Sequence, residues 1–305
     1  MSETSCTLVC SRGILKSCDH HNKNPISSHR HIDPDILDNV QDGDTVYICS
    51  WLTITLFVKN FVPKLKAKIV VVSGDSDMDA PIFLKPVGPG DDIAIDEIRA
   101  FIDSPNCIHW YTQNCTLSHP KVSPIPIGLD YHTISAKQSP LEQEIELLSI
   151  AAASKPLWQR KLKCYGNFHF NVYHKYYTQE RIDCFKQTVY TLVDYEQQPI
   201  SRTETWKKSA DYAFVLSPAG MGLDCHRTYE SIALGCIPIV HRMGHPYEEL
   251  FTDLPVLLVD KWTDISEALL QDTVKLFSEK FTTNWATLPK MQLNYWVNLI
   301  HSHKP

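Results

Sequence analysis

The feature that most constrains the fold of this chain is an alternation of short apolar segments with longer segments of helical periodicity. Apolar runs such as Thr45–Cys49, Ala67–Val72 and Cys107–Thr112 have the length and composition of buried strands. Between them, apolar residues recur every three or four positions, as along one face of a helix. Repeats of strand, helix and strand are typical of parallel sheets covered by helices, so the sequence predicts the α/β class.

The alternation occurs in two blocks that meet near residue 156. Since the chain has 305 residues and a domain commonly has about 100–200, two domains are expected. We predict Rossmann-like, doubly wound domains over 1–156 and 157–290 that face each other across a central cleft. A terminal helix over 291–305 is expected, by analogy with other two-domain proteins of this kind, to cross back onto the first domain.

The predicted strands cover 45–49, 67–72, 107–112, 122–127, 163–165, 212–216, 236–240 and 256–259, and the predicted helices cover 52–65, 93–102, 141–153, 178–193, 224–234, 265–281 and 288–300. Residues 1–30 carry no clear period, which predicts a polar, partly ordered N-terminus. Residues 81–92 are rich in Pro and Gly and are predicted to form a loop. Because ligands of parallel sheets bind beside the carboxyl ends of strands, functional residues are expected in the loops that follow strands.

Charge and hydropathy exclude two classes of protein. The formal net charge is −6, whereas a protein that binds duplex nucleic acid normally has a basic excess. The longest apolar stretch, Tyr47–Val58, has 12 residues, fewer than the about 20 that a membrane span needs. No basic segment followed by an apolar run opens the chain, so no signal peptide is expected. We therefore expect a soluble, cytoplasmic protein with no nucleic-acid partner; a local pocket for a small anion is compatible with this charge.

The ten cysteines are mostly embedded in apolar segments and include no Cys-x-x-Cys pair. This pattern is typical of small core residues in a reducing compartment. An N-terminal group with two neighbouring histidines would allow a metal cluster, but its spacing matches no standard zinc pattern. The group consists of Cys6, Cys10, Cys18, His20 and His21.

The most informative segment runs from Phe214 to Val240 and reads as strand, loop, helix and strand. Its loop contains Gly220 and Gly222, where backbone can approach a ligand closely, and Asp224 is predicted to be the N-cap of the helix. The free amides at such a helix start attract phosphate. His226 and Arg227 lie in the first helical turn, and a guanidinium group suits phosphate oxygens.

Glu230 lies three residues after Arg227 and therefore shares a helix face with it. A carboxylate one turn away from a phosphate site is well placed to accept the two hydroxyls of a ribose. The alternative is an ordinary ion pair between these two residues on the surface of the helix.

The Arg-x-x-Glu helix and the Gly-Cys-Ile-Pro strand entry after it resemble the nucleotide-sugar motif of exostosin-like (GT47-type) glycosyltransferases. The whole chain is similar to the short exostosin-like transferases encoded by large DNA viruses. The other stretches that carry this similarity are Val72–Asp77, His109–Asn114, Pro124–Asp130 and Tyr165–Phe168.

The resemblance implies a GT-B fold and inverting transfer of a sugar from a UDP-sugar to a glycan hydroxyl, with no cofactor and no catalytic metal. It implies that Arg227 holds the diphosphate and Glu230 the ribose. By the same similarity, Asn167 and Arg181 contact the diphosphate; the alternative is a simple turn and a surface arginine.

The segment Asp75-Ser76-Asp77 follows a predicted strand and has two functional interpretations. An Asp-x-Asp loop can hold a manganese–nucleotide pair, as in metal-dependent GT-A transferases. An inverting transferase instead needs a general base that takes the proton of the acceptor hydroxyl. The family alignment favours Asp77 as this base, with Asp75 second; a solvated turn is the alternative without function.

Three residues are candidates for contact with the acceptor, namely His109, Trp110 and Asp130. For the histidine and the tryptophan, packing in the core is the competing interpretation, as it is for Trp51. Asp130 could instead cap the segment that follows it. A nucleotide- or glycan-binding protein without catalysis is the other class of function that the sequence allows.

Overall fold

The computed structural model describes residues 2–23, 31–49, 51–82, 94–170, 175–188 and 190–304. Most of the loop predicted over 81–92, and the side chain of Trp51, lie outside the described residues. The strands are β1 (Thr45–Cys49), β2 (Ile69–Gly74), β3 (Cys107–Thr112), β4 (Val122–Pro124), β5 (Lys161–Gly166), β6 (Val193–Tyr195), β7 (Tyr212–Leu216), β8 (Ile237–His241) and β9 (Leu257–Val259). The helices are α1 (Ser11–Ser17), α2 (Trp51–Leu56), α3 (Ile95–Asp103), α4 (Pro140–Ala153), α5 (Lys175–Gln187), α6 (Arg202–Ser209), α7 (His226–Ala233), α8 (Glu267–Lys280) and α9 (Leu293–His301).

The first sheet has the order β1-β2-β3-β4, and every pair of neighbouring strands is parallel. All residues of β1 and β2 are buried, which is typical of parallel strands whose two faces are both covered. The core beside this sheet includes Val46, Val71, Phe57, Phe101 and Trp110. The β-branched run in β2 thus forms a strand because it fits a fully buried, pleated position.

The second sheet has the order β6-β5-β7-β8-β9 and is also parallel throughout. After β5 the chain continues to one side of the sheet, and after β7 it continues to the other. The direction of winding therefore reverses between β5 and β7, which is the switch point where ligands of doubly wound sheets bind. The predicted α/β class with two parallel sheets is confirmed; in the described part of the first sheet the strands follow chain order without such a reversal.

The chain divides into two compact units, each of which contains one sheet. The β1–β4 unit comprises Val9–Ile127, Gly244–Leu250 and Leu293–Pro305, and the β5–β9 unit comprises Met1–Leu8, Gly128–Met243 and Phe251–Gln292. The first segment of the β1–β4 unit ends at Ile127 and not at the predicted residue 156. The difference arises because α4, which follows Ile127, packs against α6 and α7 of the other unit. Helix α9 belongs to the β1–β4 unit, where it packs against α1.

Three elements were not predicted, namely α1, β6 and α6. Residues 2–23 are not the polar, partly ordered segment that was expected, since Val9, Ile14 and Leu15 are buried; residues 24–30 of that prediction lie outside the described residues. The predicted helix over 178–193 ends at Gln187, and Val193, the last residue of that prediction, begins β6. Helix α6 has a weak apolar pattern, which concealed it, although its capping box is visible in the sequence.

No helix in the described parts of the chain combines the length and the apolar composition that a membrane crossing requires.

Candidate anion-binding site

The candidate site lies in the β5–β9 unit, where the chain leaves β5 and β7 at the switch point. β5 ends at Gly166 and is followed by Asn167 and Phe168; β7 ends at Leu216 and leads through a loop into α7. A Cβ atom at Gly166 would lie 2.5 Å from the Tyr195 ring. The close approach of β6 to the end of β5 therefore requires a glycine there.

Arg181 projects from α5 to the loop after β7. The residue is 9% exposed, and its guanidinium group donates hydrogen bonds from Nε to Ala219 O (3.0 Å) and from Nη1 to His169 O (2.6 Å). Its Nη2 atom lies 2.7 Å from the position that a Cβ atom of Gly220 would occupy. The guanidinium group is thus fixed against backbone, and the missing side chain at Gly220 makes room for it.

Arg227 lies in the first turn of α7 and is half-buried. Its guanidinium carbon is 5.5 Å from the centre of the Phe168 ring, a cation–π contact, and its Nη1 lies 3.4 Å from Pro218 O. Burial, and then repulsion by Arg227, lower the pKa of Arg181. The two guanidinium groups are therefore close enough to repel each other.

Neither Arg181 nor Arg227 forms an ion pair with a carboxylate among the described residues. Buried cations in proteins are normally paired, because removing a charge from water is costly. Two neighbouring guanidinium groups without a carboxylate partner, at the switch point of a parallel sheet, form a site suited to an anion.

Glu230 is half-buried on α7 and makes no ion pair with Arg227. The two residues therefore do not form the surface ion pair that was the alternative interpretation. Burial raises the pKa of Glu230, and the nearby Arg202 and the Trp206 side chain oppose that rise. The carboxylate thus lies in a partly dry environment one turn beyond the guanidinium group, where it can accept hydrogen bonds from hydroxyl groups.

The prediction that Asp224 is the N-cap of α7 is wrong, since Cys225 holds that position and provides no side-chain cap. Asp224 is buried, and its carboxylate accepts hydrogen bonds from the Tyr229 hydroxyl (2.8 Å) and the Cys225 amide (2.9 Å). Its role in this structure is to hold the loop against the helix.

The two glycines of the loop are both buried, and the Gly220 amide donates to Gly222 O at 2.9 Å. That amide is therefore used within the loop. Asn167 is half-buried at the end of β5, and its Nδ2 donates to Thr205 Oγ1 at 2.9 Å. This bond fixes the Asn167 side chain at the carboxyl edge of the sheet.

His226 is neutral at physiological pH, because burial lowers its pKa more than the nearby Asp130 raises it. Its Nδ1 lies 2.7 Å from Gly128 O, so the tautomer that fits carries the proton on Nδ1 and leaves a lone pair on Nε2. His226 therefore adds a hydrogen-bond acceptor to the site, and the positive charge comes from the arginines.

Asp130 lies in the β5–β9 unit and is paired there with two other side chains. Arg202 donates to its Oδ2 at 2.6 Å and to its main-chain oxygen at 2.7 Å, and His132 Nδ1 lies 3.1 Å from its Oδ1. The structure thus gives Asp130 a role in fixing Arg202 and His132 and does not present it as a free contact for an acceptor.

Among the described residues, one group of three has the types and proximity of metal ligands: Asp130, His132 and His226, with ligand atoms within 4.8 Å of one another. The Arg202 guanidinium bound to Asp130 opposes a cation at this place. The N-terminal cysteines do not join such a group; Cys18 Sγ donates to Ile14 O, and His20 is bound to Asp44.

In the β1–β4 unit, Asp75 immediately follows β2 and Asp77 lies two residues further along the loop. Asp75 is 6% exposed and has a left-handed backbone with φ +52°, whereas Asp77 is exposed. The Asp75 amide donates to Gln113 Oε1 at 2.7 Å, and Arg12 Nε lies 3.7 Å from Asp75 Oδ2. The two candidate bases therefore have very different surroundings.

The predicted acceptor contacts His109 and Trp110 are packed inside the β1–β4 unit. Trp110 is 0% exposed, and its ring N–H donates to Ser73 Oγ, so it cannot stack on a sugar. His109 Nε2 lies 2.9 Å from Ser123 Oγ, and its ring stacks on His303. Burial, followed by repulsion from His303, lowers the pKa of His109 to about 4.

The sequence analysis missed several residues of these sites, because their positions depend on contacts between distant segments. Phe168 contacts Arg227, and Arg202 contacts Asp130. Arg12 on α1 lies beside Asp75, and nothing in the local pattern around it indicated this. The capping box of Ser201 and Glu204 is visible in the sequence and could have indicated helix α6, which begins at Arg202.

A groove of about 510 Å³ in the β5–β9 unit lies elsewhere. It is lined by Trp158, Arg160 and Gly235, which precede β5 and β8 and thus lie at the amino ends of these strands. Ligands of parallel sheets bind at the opposite, carboxyl ends, so the groove is separate from the candidate site.

No protein-family model and no curated protein matches the chain. Among solved structures, the α,α-trehalose-6-phosphate synthase of Burkholderia multivorans is 11% identical, with a TM-score of 0.35 over 88% of this chain and 70% of that one. The α,α-trehalose-phosphate synthase (UDP-forming) of Burkholderia vietnamiensis gives the same identity and TM-score over 86% and 70%. The wall teichoic acid polymerase TagF is 9% identical, with a TM-score of 0.25 over 88% and 90%.

Proposed function

We propose that this protein is an inverting glycosyltransferase of the GT-B type that transfers a sugar from a UDP-sugar to a hydroxyl group of a glycan. The observation that carries the proposal is the pair of guanidinium groups, Arg181 and Arg227, at the switch point with no carboxylate partner among the described residues. A diphosphate brings adjacent negative charges that match two such groups. The exostosin-like motif and the viral relatives that it suggests support the same donor class.

In this proposal Arg227 binds the diphosphate with its planar donor fork, and Arg181 supplies a second, rigidly held cation. The first amides of α7 add the partial positive charge of a helix start. Asn167, fixed by Thr205, contributes a side-chain amide from the end of β5. Negative charge that develops on the departing UDP is thereby stabilised by groups that are already in position.

Glu230 accepts hydrogen bonds from the ribose hydroxyls, one helical turn beyond Arg227. Neutral His226 contributes its Nε2 lone pair as a further acceptor for a hydroxyl of the donor, since its Nδ1 proton is used by Gly128 O. We assign no positive charge to His226 in the reaction.

In the transfer step the oxygen of the acceptor hydroxyl forms a bond to the anomeric carbon on the face opposite the diphosphate. The bond from that carbon to the diphosphate oxygen breaks, and its electron pair leaves with UDP. The hydroxyl proton passes to a carboxylate base. We propose Asp75 for this base in preference to Asp77, because a carboxylate removed from water is less solvated and can be held in one orientation.

A thermal-shift screen tests the donor site with UDP and with the UDP conjugates of xylose, glucose, galactose and glucuronate, using ADP and CDP for comparison. A ligand at 100 times its Kd adds about 2.7 kcal/mol to the free energy of unfolding. Arg227→Met is expected to weaken UDP binding about ten- to a hundredfold, as loss of charged hydrogen bonds implies. The control is Arg99→Met, on the exposed Arg99 of α3.

Equal stabilisation of Arg227→Met and the natural protein by UDP, or no stabilisation by any nucleotide, would exclude the proposed donor site. UDP release from the bound UDP-sugar is expected to continue in EDTA. Loss of this release in EDTA would instead favour a metal-dependent transferase that uses Asp75 and Asp77. Binding without any release of UDP would favour a protein that binds nucleotide sugars without catalysis.

A further inference from the structure

Three buried polar atoms near the carboxyl ends of β1 and β2 have no hydrogen-bond partner. They are Nε of Arg12, the hydroxyl oxygen of Tyr47 and Oδ2 of Asp75. Tyr47 and Asp75 are almost completely buried, and one-fifth of the Arg12 side chain is exposed. A buried polar atom without a partner commonly costs about 1–3 kcal/mol, so three in one place need an explanation.

These three side chains form one group. Arg12 Nε lies 3.7 Å from Asp75 Oδ2, too far for a direct hydrogen bond. Burial raises the pKa of Tyr47, and the negative charge of Asp75 contributes to that rise while Arg12 opposes it. The Tyr47 hydroxyl lies 2.7 Å from the position of a Cβ atom at Gly74, the residue before Asp75.

The backbone around the group is held from the neighbouring strand. Gln113, after β3, accepts the Asp75 amide at Oε1 and donates from Nε2 to Pro126 O. A Cβ atom at Gly74 would also lie 2.7 Å from the Gln113 side chain. Gly74 and Gln113 therefore fix the position from which the Asp75 carboxylate extends.

The three atoms without a partner need one donor and two acceptors, and a single hydroxyl group offers these. A hydroxyl oxygen has two lone pairs, which can accept from Arg12 Nε–H and from the Tyr47 O–H, and one proton, which it can donate to Asp75 Oδ2. One bound hydroxyl would thus satisfy all three atoms. No other single functional group common in sugars offers two acceptor positions and one donor position on one atom.

We propose that Arg12, Tyr47 and Asp75 form the binding site for the reacting hydroxyl group of the acceptor. The inference rests on the proposed function and adds to it the two residues that hold this hydroxyl beside the base. The hydroxyl proton moves to Asp75 Oδ2 while its oxygen bonds to the anomeric carbon and UDP leaves with the electron pair. Before the transfer, Arg12 and Tyr47 donate to the two lone pairs of that oxygen. As the proton moves to Asp75, one lone pair leaves its donor and forms the bond to the carbon, and the electron pair of the O–H bond stays on the oxygen.

Arg12 is also the cationic neighbour of the proposed base. The titratable and charged groups that face Asp75 are Arg12 from α1 and Tyr47 and Cys49 from β1, with Cys18 beyond Tyr47. Of these, only Arg12 carries a charge at neutral pH. Removing it leaves the buried Asp75 carboxylate without its cationic neighbour and the bound hydroxyl oxygen without one of its two donors.

The experiment measures UDP release at pH 7 from the UDP-sugar that gives the largest thermal shift, with water as the acceptor. Asp75→Asn is expected to reduce release about a hundredfold or more, and Tyr47→Phe about five- to tenfold. Arg12→Met is expected to reduce release about ten- to a hundredfold, because it removes a charged hydrogen bond to the reacting oxygen, whereas Arg12→Lys should restore part of the rate. Arg99→Met, an exposed residue of the same unit, is the control.

Tyr47→Phe separates this proposal from a purely structural role. The Tyr47 hydroxyl has no partner to lose in the free protein, so this variant should be as stable as the natural protein in urea while its rate falls. An unchanged rate in Tyr47→Phe, in Asp75→Asn or in Arg12→Met would overturn the proposal. If these variants still bind UDP, the donor site stands and only the hydroxyl site fails.

Discussion

Gly220 lies where the side chain of any other residue would meet Arg181. The guanidinium group of Arg181 cannot move aside easily, because two of its nitrogens are bonded to the main-chain oxygens of Ala219 and His169. The buried guanidinium group of Arg181 thus occupies the space that a side chain at position 220 would need. The glycine was identified from the sequence as a place of close approach, but the group that approaches it was not.

We expect Gly220→Ala to disturb the anion site more than the fold. The new Cβ atom would lie 2.7 Å from Arg181 Nη2 and 3.1 Å from Cys225 Sγ, so the guanidinium group must shift. Loss of one charged hydrogen bond to the diphosphate corresponds to about a tenfold weaker Kd for UDP. Titration calorimetry with UDP, beside urea unfolding of the same variant, measures both effects.

The result would contradict this account if Gly220→Ala bound UDP as tightly as the natural protein. A large loss of stability with unchanged affinity would likewise show that the glycine serves the fold and that Arg181 does not serve the anion.

Single residues also mark the limits of what the sequence could predict about the sites. The Arg227 and Glu230 pair could be found, because helix periodicity alone puts two such residues on one face. For Trp110 the sequence left contact with an acceptor and packing in the core both open, because a tryptophan in a strand can face either. Only the packing of Phe101 and Ser73 against it decides for the core. Arg12 could not be found, since its neighbour Asp75 lies 63 positions away.

At the scale of elements, strands with continuous apolar runs were predictable and weakly patterned elements were not. β1, β3 and β7 have the predicted limits, because most of their residues are buried and polar residues bound them. β6 has three residues, of which only Val193 is buried, and its neighbours suggested a longer α5. The length of a strand at a sheet edge depends on its partner, which the local sequence does not contain.

The end of the chain is joined to the first strand by ionic and polar bonds that we expect to respond to pH. Lys304, after α9, pairs with Asp19 at 2.7 Å, and Asp19 also accepts from the amide and hydroxyl of Thr45 in β1. Although burial alone would raise it, these partners lower the pKa of Asp19 to about 2. The carboxylate therefore stabilises the fold above pH about 4, and this contribution is lost as the pH falls toward 2.

Asp19→Asn should lower the free energy of unfolding by about 1 kcal/mol at pH 7 and by much less at pH 2. The shift in pKa alone would give about 2 kcal/mol, and partial exposure of the carboxylate reduces it. Urea unfolding at pH 7, 4 and 2 measures the difference, with Asp260→Asn, whose side chain is 80% exposed, as the control. A difference that does not vary with pH would mean that the bonds to Thr45 act through geometry and not through charge.

At the scale of the whole molecule, each unit is built from segments that are separated along the chain. The β1–β4 unit includes α9, which buries Leu293, Trp296 and Ile300 and packs against α1. A Cβ atom at Gly13 of α1 would lie 2.8 Å from Leu293, so the two helices approach closely. The terminal helix is thus part of the core of the unit that contains the first sheet.

Deletion of residues 293–305 should destabilise the β1–β4 unit by several kcal/mol, because each large apolar side chain that loses its burial contributes about 1.5–3 kcal/mol. Hydrogen exchange followed by mass spectrometry should then show faster exchange in β1 and β2 than in β7 and β8. Tyr295→Ala, which removes a partly exposed ring of the same helix, is the control. Uniform loss of protection in both sheets would mean that the two units unfold together.

The interleaving of the two units also fixes an order of events during synthesis. Residues 128–243 and most of those up to 292 belong to the other unit and leave the ribosome before α9 does. At usual elongation rates this interval lasts on the order of ten to thirty seconds. During that time the apolar face of α1 that α9 covers in the folded protein has no partner, so we expect the β1–β4 unit to complete its folding only after most of the β5–β9 unit has been synthesised.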